Sequence, residues 1–279
     1  MSLVGFMQGR LSALVDGKIQ AFPAANWQNE FASAAAIGIG AMEWTLDQAD
    51  LYQNPIMTHP GRASIEALVK QHAVSIPSLT GDCFMQAPFW KAATVEQASR
   101  LKLDFVAIVD ACAKLKIGFI VVPLVDAGRL DTREQEDHLV NFLSEQVSYF
   151  QRSKVRIAFE SDFKAEDLAR FIGRLDAESF GVNYDIGNSA ALGFDPNEEF
   201  ACYGSRIINV HVKDRILGGT TVPLGSGAAL FDLVFRLLAR SGYKGNYILQ
   251  TARATDENHQ AVLKGYLQMV ERWLEQHAA

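Results

Sequence analysis

The chain has 279 residues, 49% of them hydrophobic and 21% charged, with 26 Lys and Arg against 32 Asp and Glu for a formal net charge of −6. This composition excludes a disordered tail and allows a large buried core, and a pI near 5.5 offers no general attraction to nucleic-acid backbones. Cys83, Cys112 and Cys202 are too few and too scattered for a disulfide framework or a CxxC zinc site. No apolar stretch approaches the roughly 18–20 residues of a membrane span. Met1–Met7 lacks a basic flank and runs directly into Gln8-Gly9-Arg10, so no signal peptide is expected. These features predict a cytoplasmic protein with neither a nucleic-acid nor a membrane partner.

In chain order, short apolar runs at Leu3–Met7, Gly40–Thr45, Val74–Thr80, Gly118–Pro123, Val155–Glu160, Phe180–Asp185, Ile207–Val212 and Asn246–Thr251 predict strands. Between them, helical periodicity covers Trp27–Ala36, His59–His72, Thr94–Leu115, Thr132–Phe150, Ala165–Leu175, Asn197–Tyr203, Gly227–Ser241 and Asp256–His277. Thr94 with Gln97 and Thr132 with Gln135 form capping-box patterns, Pro60 suits a first helical turn, and Gly242 suits a helix end. Strands this apolar must be covered on both faces. Eight alternating units without a linker therefore predict an α/β fold, one (β/α)8 TIM barrel spanning residues 1–279, with an open doubly wound sheet as the alternative.

In such a barrel the chemistry sits at the carboxyl ends of the strands. The predicted strands run into Gln8-Gly9-Arg10, Glu43-Trp44-Thr45 and Thr80-Gly81-Asp82, and the last four reach Glu160, Asp185, His211 and Gln250. A charge inside an apolar barrel is costly unless it is paired or metal-bound. Two carboxylates, an imidazole and an amide oxygen suit a divalent ion, Mn²⁺ or Mg²⁺ ahead of Zn²⁺ because no thiol is offered. Gly225-Ser226-Gly227 is either a phosphate cradle or a tight loop into the next helix. Trp44, Phe6 and Phe84 are expected to pack at the barrel mouth, with the lining of a sugar pocket as the alternative. Glu134 with Glu136, and Glu271 with Glu275, are expected on exposed helix faces, and the histidines other than His211 in solvent.

The segments Ile157-Ala158-Phe159-Glu160, Asn183-Tyr184-Asp185-Ile186-Gly187-Asn188, Asn209-Val210-His211-Val212-Lys213-Asp214 and Val222-Pro223-Leu224-Gly225 resemble the sugar-phosphate isomerase/epimerase family of the xylose-isomerase-like TIM barrels. The opening Met7-Gln8-Gly9-Arg10-Leu11 is similar to that of members acting on hexulose or pentulose phosphates. The resemblance implies a metal held by Glu160, Asp185, His211 and Gln250, the last standing where the family usually has a second Glu. Asn188 stands where many ketose epimerases have a His, and Arg215 is placed like a substrate-binding arginine. With Gln8, Glu43, Asp82 and Lys213, these two complete the expected substrate contacts.

The implied activity is isomerisation or epimerisation of a small sugar or sugar phosphate by proton abstraction through an enediolate. Glu160 and Gln250 occupy the two catalytic positions, but an amide cannot act as a base. Glu160 is then the single base, with Glu43 or Asp82 available as a second acid. A dehydratase of the same superfamily and a non-catalytic sugar-binding protein with a degenerated site are the competing readings; a homo-oligomer fits any of the three.

Overall fold

Eight parallel strands hydrogen-bond in the circular order β1-β10-β7-β6-β5-β4-β3-β2 and close into a barrel in this computed structural model, which describes residues 3–278. Met1, Ser2 and Ala279 of the expected single domain lie outside the described residues. The strands are β1 (Val4–Met7), β2 (Ala41–Thr45), β3 (Ser75–Thr80), β4 (Phe119–Leu124), β5 (Arg156–Ser161), β6 (Phe180–Asp185), β7 (Ile207–Val212) and β10 (Asn246–Leu249). The short β8 (Asp214–Arg215) and β9 (Thr221–Val222) form a separate antiparallel hairpin after β7. The helices are α1 (Asn29–Ile37), α2 (His59–His72), α3 (Asp82–Gln86), α4 (Val95–Lys114), α5 (Arg133–Glu145) and α6 (Val147–Ser153), then α7 (Ala165–Ile172), α8 (Ile186–Leu192), α9 (Pro196–Tyr203), α10 (Phe231–Arg240) and α11 (His259–Gln276). Among the described residues no helix is long and apolar enough to cross a membrane.

Local chemistry accounts for most boundaries. Thr94 and Thr132 accept the N–H of Gln97 and Gln135, whose side chains reach back to the N–H of Ala93 and Asp131, closing both helix starts. The helix expected over Thr132–Phe150 breaks at Gln146, and the turn seats Phe150 against Phe105 and Phe180. The helix expected from Gly227 starts four residues later, at Phe231. The backbone N–H groups of Gly225, Gly227 and Ala229 all donate to the buried Asp214 carboxylate instead. The glycine loop therefore cradles the chain's own aspartate rather than a phosphate, and a Cβ on Gly227 would collide with that carboxylate.

Glu136 also departs from expectation. It is buried, and Arg133, Arg170 and Arg174 all donate to it, tying α5 to α7; Glu134, Glu271 and Glu275 are exposed as expected. Trp44 is fully buried against Phe22 and Trp27, a packing role. His59, His72, His138, His259 and His277 are exposed or half-buried.

Candidate active site

A cavity of about 480 Å³ opens at the carboxyl end of the barrel, walled by Gln20, Asp82, Glu160, Asn188, Lys213, Arg215 and Gln250 among others. The strand register explains the convergence. Asp185 lies beside His211 across β6 and β7, and His211 beside Ile248 across β7 and β10, so side chains two residues apart on each strand point into the same space. One donor atom each from Glu160, Asp185 and His211 lies within 4.8 Å of the others. The His211 Nδ1 is 3.0 Å from the Glu160 Oε2 and 3.9 Å from the Asp185 Oδ2.

Each group is fixed by neighbours. The Asp185 Oδ1 accepts the N–H of Asn188 and caps α8, leaving Oδ2 to accept from Lys213 Nζ at 2.9 Å. Lys213 also donates to Asn188 Oδ1 at 3.1 Å and Gln250 Oε1 at 3.0 Å. Glu160 accepts from Asn183 at 2.9 Å and from Asn188 at 2.7 Å. Arg215 spends Nη1 on Asn188 and two nitrogens on the Gly219 carbonyl, so its fork is partly committed to the β8–β9 hairpin.

Glu43 lies beneath the cavity rather than on its wall. It is fully buried and accepts from Ser78, Thr80, Asn209 and, at 2.7 Å, the His211 Nε2. Burial alone would disfavour charge on the imidazole, but the carboxylates of Glu43 and Glu160 outweigh it and raise His211 to about 10. Burial likewise opposes charge on both carboxylates, but His211 holds them below the usual range. Gln8 is also fully buried off the cavity, its Oε1 taken by the Thr45 N–H. Strand-end position alone did not separate these two from the wall residues, because inward-facing side chains stack in layers and only the upper layer meets solvent.

Gln20 carried no motif in the sequence. It comes from the long segment between β1 and α1, donates to Asp82 at 2.9 Å, and accepts from Gln250 at 2.8 Å and Arg10 at 3.2 Å. Asn183 and Asn209, bonded to each other at 2.8 Å, were also unforeseen, although their place two residues before Asp185 and His211 puts them on the same inward face.

Two oxygens and an imidazole at this spacing fit a divalent ion. Donors each about 2.0–2.2 Å from one centre lie roughly 3–4.4 Å apart. The His211 Nε2 bond to Glu43 is the carboxylate–histidine arrangement that orients a ligating imidazole. The three donors lie within 4.8 Å of one another, close to that range, so modest side-chain shifts would bring them onto one ion.

Residues 31–274 match the model of the xylose isomerase-like TIM barrel family, and the chain belongs to that family. The L-ribulose-5-phosphate 3-epimerase UlaE of Salmonella typhi is 26% identical over 253 residues, covering 86% of this chain and 87% of the relative. The D-allulose 3-epimerase of Methylomonas sp. superimposes with a TM-score of 0.76 at 13% identity, over 97% of this chain and 96% of its own. A xylose isomerase-like TIM barrel protein of Mycobacterium smegmatis, in complex with magnesium, superimposes with a TM-score of 0.69 at 17% identity, over 98% and 97%. The solved structures share the fold.

Proposed function

We propose that this protein is a divalent-metal-dependent epimerase or isomerase of a small ketose or ketose phosphate. The observation that carries the reading is the convergence of Glu160, Asp185 and His211, with Glu160 on the wall of an open cavity at the carboxyl end of the barrel. The similarity to the Salmonella enzyme named an L-ribulose-5-phosphate 3-epimerase supports the substrate class.

A bound ion, Mn²⁺ or Mg²⁺ given the donor set, would polarise the ketose carbonyl and lower the cost of enediolate charge. Glu160, Asp185 and His211 would hold it, with the Gln250 carbonyl oxygen available as a fourth ligand. Glu43 fixes the His211 ring from behind. Glu160 removes the proton next to the carbonyl, since its carboxylate is held ionised at the cavity wall and Gln250 has no basic form. Asn188, Lys213 and Arg215 orient sugar hydroxyls or a phosphate.

Metal analysis of protein purified without chelator, joined to deuterium wash-in from D₂O, tests this reading. The expected result is bound divalent metal and exchange at the carbon next to the carbonyl in one of a set of ketoses and their phosphates, lost after EDTA. Metal without exchange of any substrate proton would instead favour a sugar-binding protein, and release of water to give an unsaturated product would favour a dehydratase.

A further inference from the structure

The cavity wall holds a second carboxylate that makes no direct ion pair among the described residues, the charge of Arg10 acting on it only at longer range. Asp82 follows β3 at the first position of α3, is 6% exposed, and among the described residues has no lysine or arginine within ion-pair distance. Among the described residues its side-chain hydrogen-bond partner is the Gln20 amide, which donates to Oδ2 at 2.9 Å. The other acids on the wall are differently placed. Asp162 pairs with Arg129 at 3.2 Å, and Asp126 is exposed at the rim.

Asp82 and Glu160 line the same cavity but are held by different neighbours. Asn183, Asn188 and His211 hold Glu160 toward β6 and β7. Gln20 links Asp82 to Gln250, because the same Gln20 side chain that donates to Asp82 accepts from Gln250 at 2.8 Å. Asp82 thus connects through one amide to the position whose side chain lacks acid–base capacity.

We infer that Asp82 is the second acid–base residue of this site, working opposite Glu160 on the two faces of a ketose in a C3 epimerisation. The inference rests on the epimerase reading above and adds the residue that completes it. In one direction Glu160 takes the C3 proton, the C–H electron pair becomes the C2–C3 double bond, and the carbonyl oxygen takes up negative charge. Protonated Asp82 then gives its proton to C3 from the other face, and the carbonyl re-forms. In the reverse direction the roles exchange, so no oxidant or reductant is consumed and the proton lost by one carboxyl is balanced by the proton gained by the other. This requires one ionised and one protonated carboxyl at rest. Burial, reinforced by the charges of Asp47 and Glu160 and partly offset by the Gln20 hydrogen bond and the charge of Arg10, raises Asp82 to about 7, where a carboxyl can give or take a proton at neutral pH.

The test is deuterium exchange at C3, measured separately from each member of an epimer pair, L-ribulose 5-phosphate with L-xylulose 5-phosphate and D-allulose with D-fructose. Asp82→Asn should lower inversion by about 10²–10⁴-fold. It should keep C3 exchange in one epimer and abolish it in the other, and Glu160→Gln should show the opposite preference. Calorimetric Mn²⁺ affinity of Asp82→Asn should match wild type. Should Asp82→Asn not fold, Asp82→Glu gives the same readout, with unequal loss between the epimers expected. Equal loss from both epimers, or inversion near the wild-type rate, overturns the role of Asp82. Wild-type exchange confined to C1 would also overturn it while leaving the isomerase form of the proposed function intact. No wild-type exchange with any ketose would overturn the proposed function itself.

Discussion

At the scale of single residues, Gln250 and Lys213 set the charge of the site. The Gln250 oxygen accepts from the ammonium of Lys213, which also touches Asp185, so this lysine shares an oxygen that an ion would use. Only two of the four candidate ligand side chains, Glu160 and Asp185, carry negative charge. Gln250→Glu adds a third in a partly dry cavity, where charge interactions are stronger than in water. The expected outcome is tighter Mn²⁺ binding by calorimetry. Affinity unchanged or weakened would remove residue 250 from the ligand set.

Among the helices and loops, contacts made far apart in the chain decide the local shape. Glu136 illustrates this at α5, where its neighbours in sequence suggest an exposed face but Arg170 and Arg174 of the α7 region converge on it. Burial would raise its carboxyl, but those arginines outweigh burial and hold it at about 2 against an ordinary 4.5. A depressed carboxyl stabilises the fold above the unfolded-chain value, and that contribution disappears as pH falls through the folded one. Glu136→Gln should therefore lower the urea midpoint at pH 7. The difference from wild type should shrink as pH drops from about 4.5 toward 2. A constant difference across that range would mean that the arginine contacts do not couple to folding.

For the whole molecule, an aromatic seam joins the helical shell around α4. Phe105 is fully buried and meets Phe84, Phe89, Phe142 and Phe150, with ring centroids between 4.7 and 6.4 Å. Removing the ring takes away apolar contacts and leaves a cavity. Phe105→Ala should cost about 3–5 kcal/mol of unfolding free energy by chemical denaturation. The site residues lie on other elements, so metal affinity of the folded variant should be retained. A loss below about 1 kcal/mol would show that the shell repacks around the gap.

The strands were legible from the chain alone because a sheet buried on both faces demands short apolar runs, and each run must end where the backbone meets polar solvent. That rule located β6 and β7 to the residue and placed Glu160, Asp185, His211 and Gln250 at one end of the barrel. It could not rank inward-facing polar residues by depth. Glu43 near the end of β2 and Asp82 just past β3 both stand at strand ends, yet one lies fully buried under His211 and the other lines the cavity. Depth depends on strand stagger, and the β2–β3 register itself shifts between Ala41 and Glu43. Gln20 had no local signature either, because its role comes from partners at positions 82 and 250, which only barrel closure brings to it.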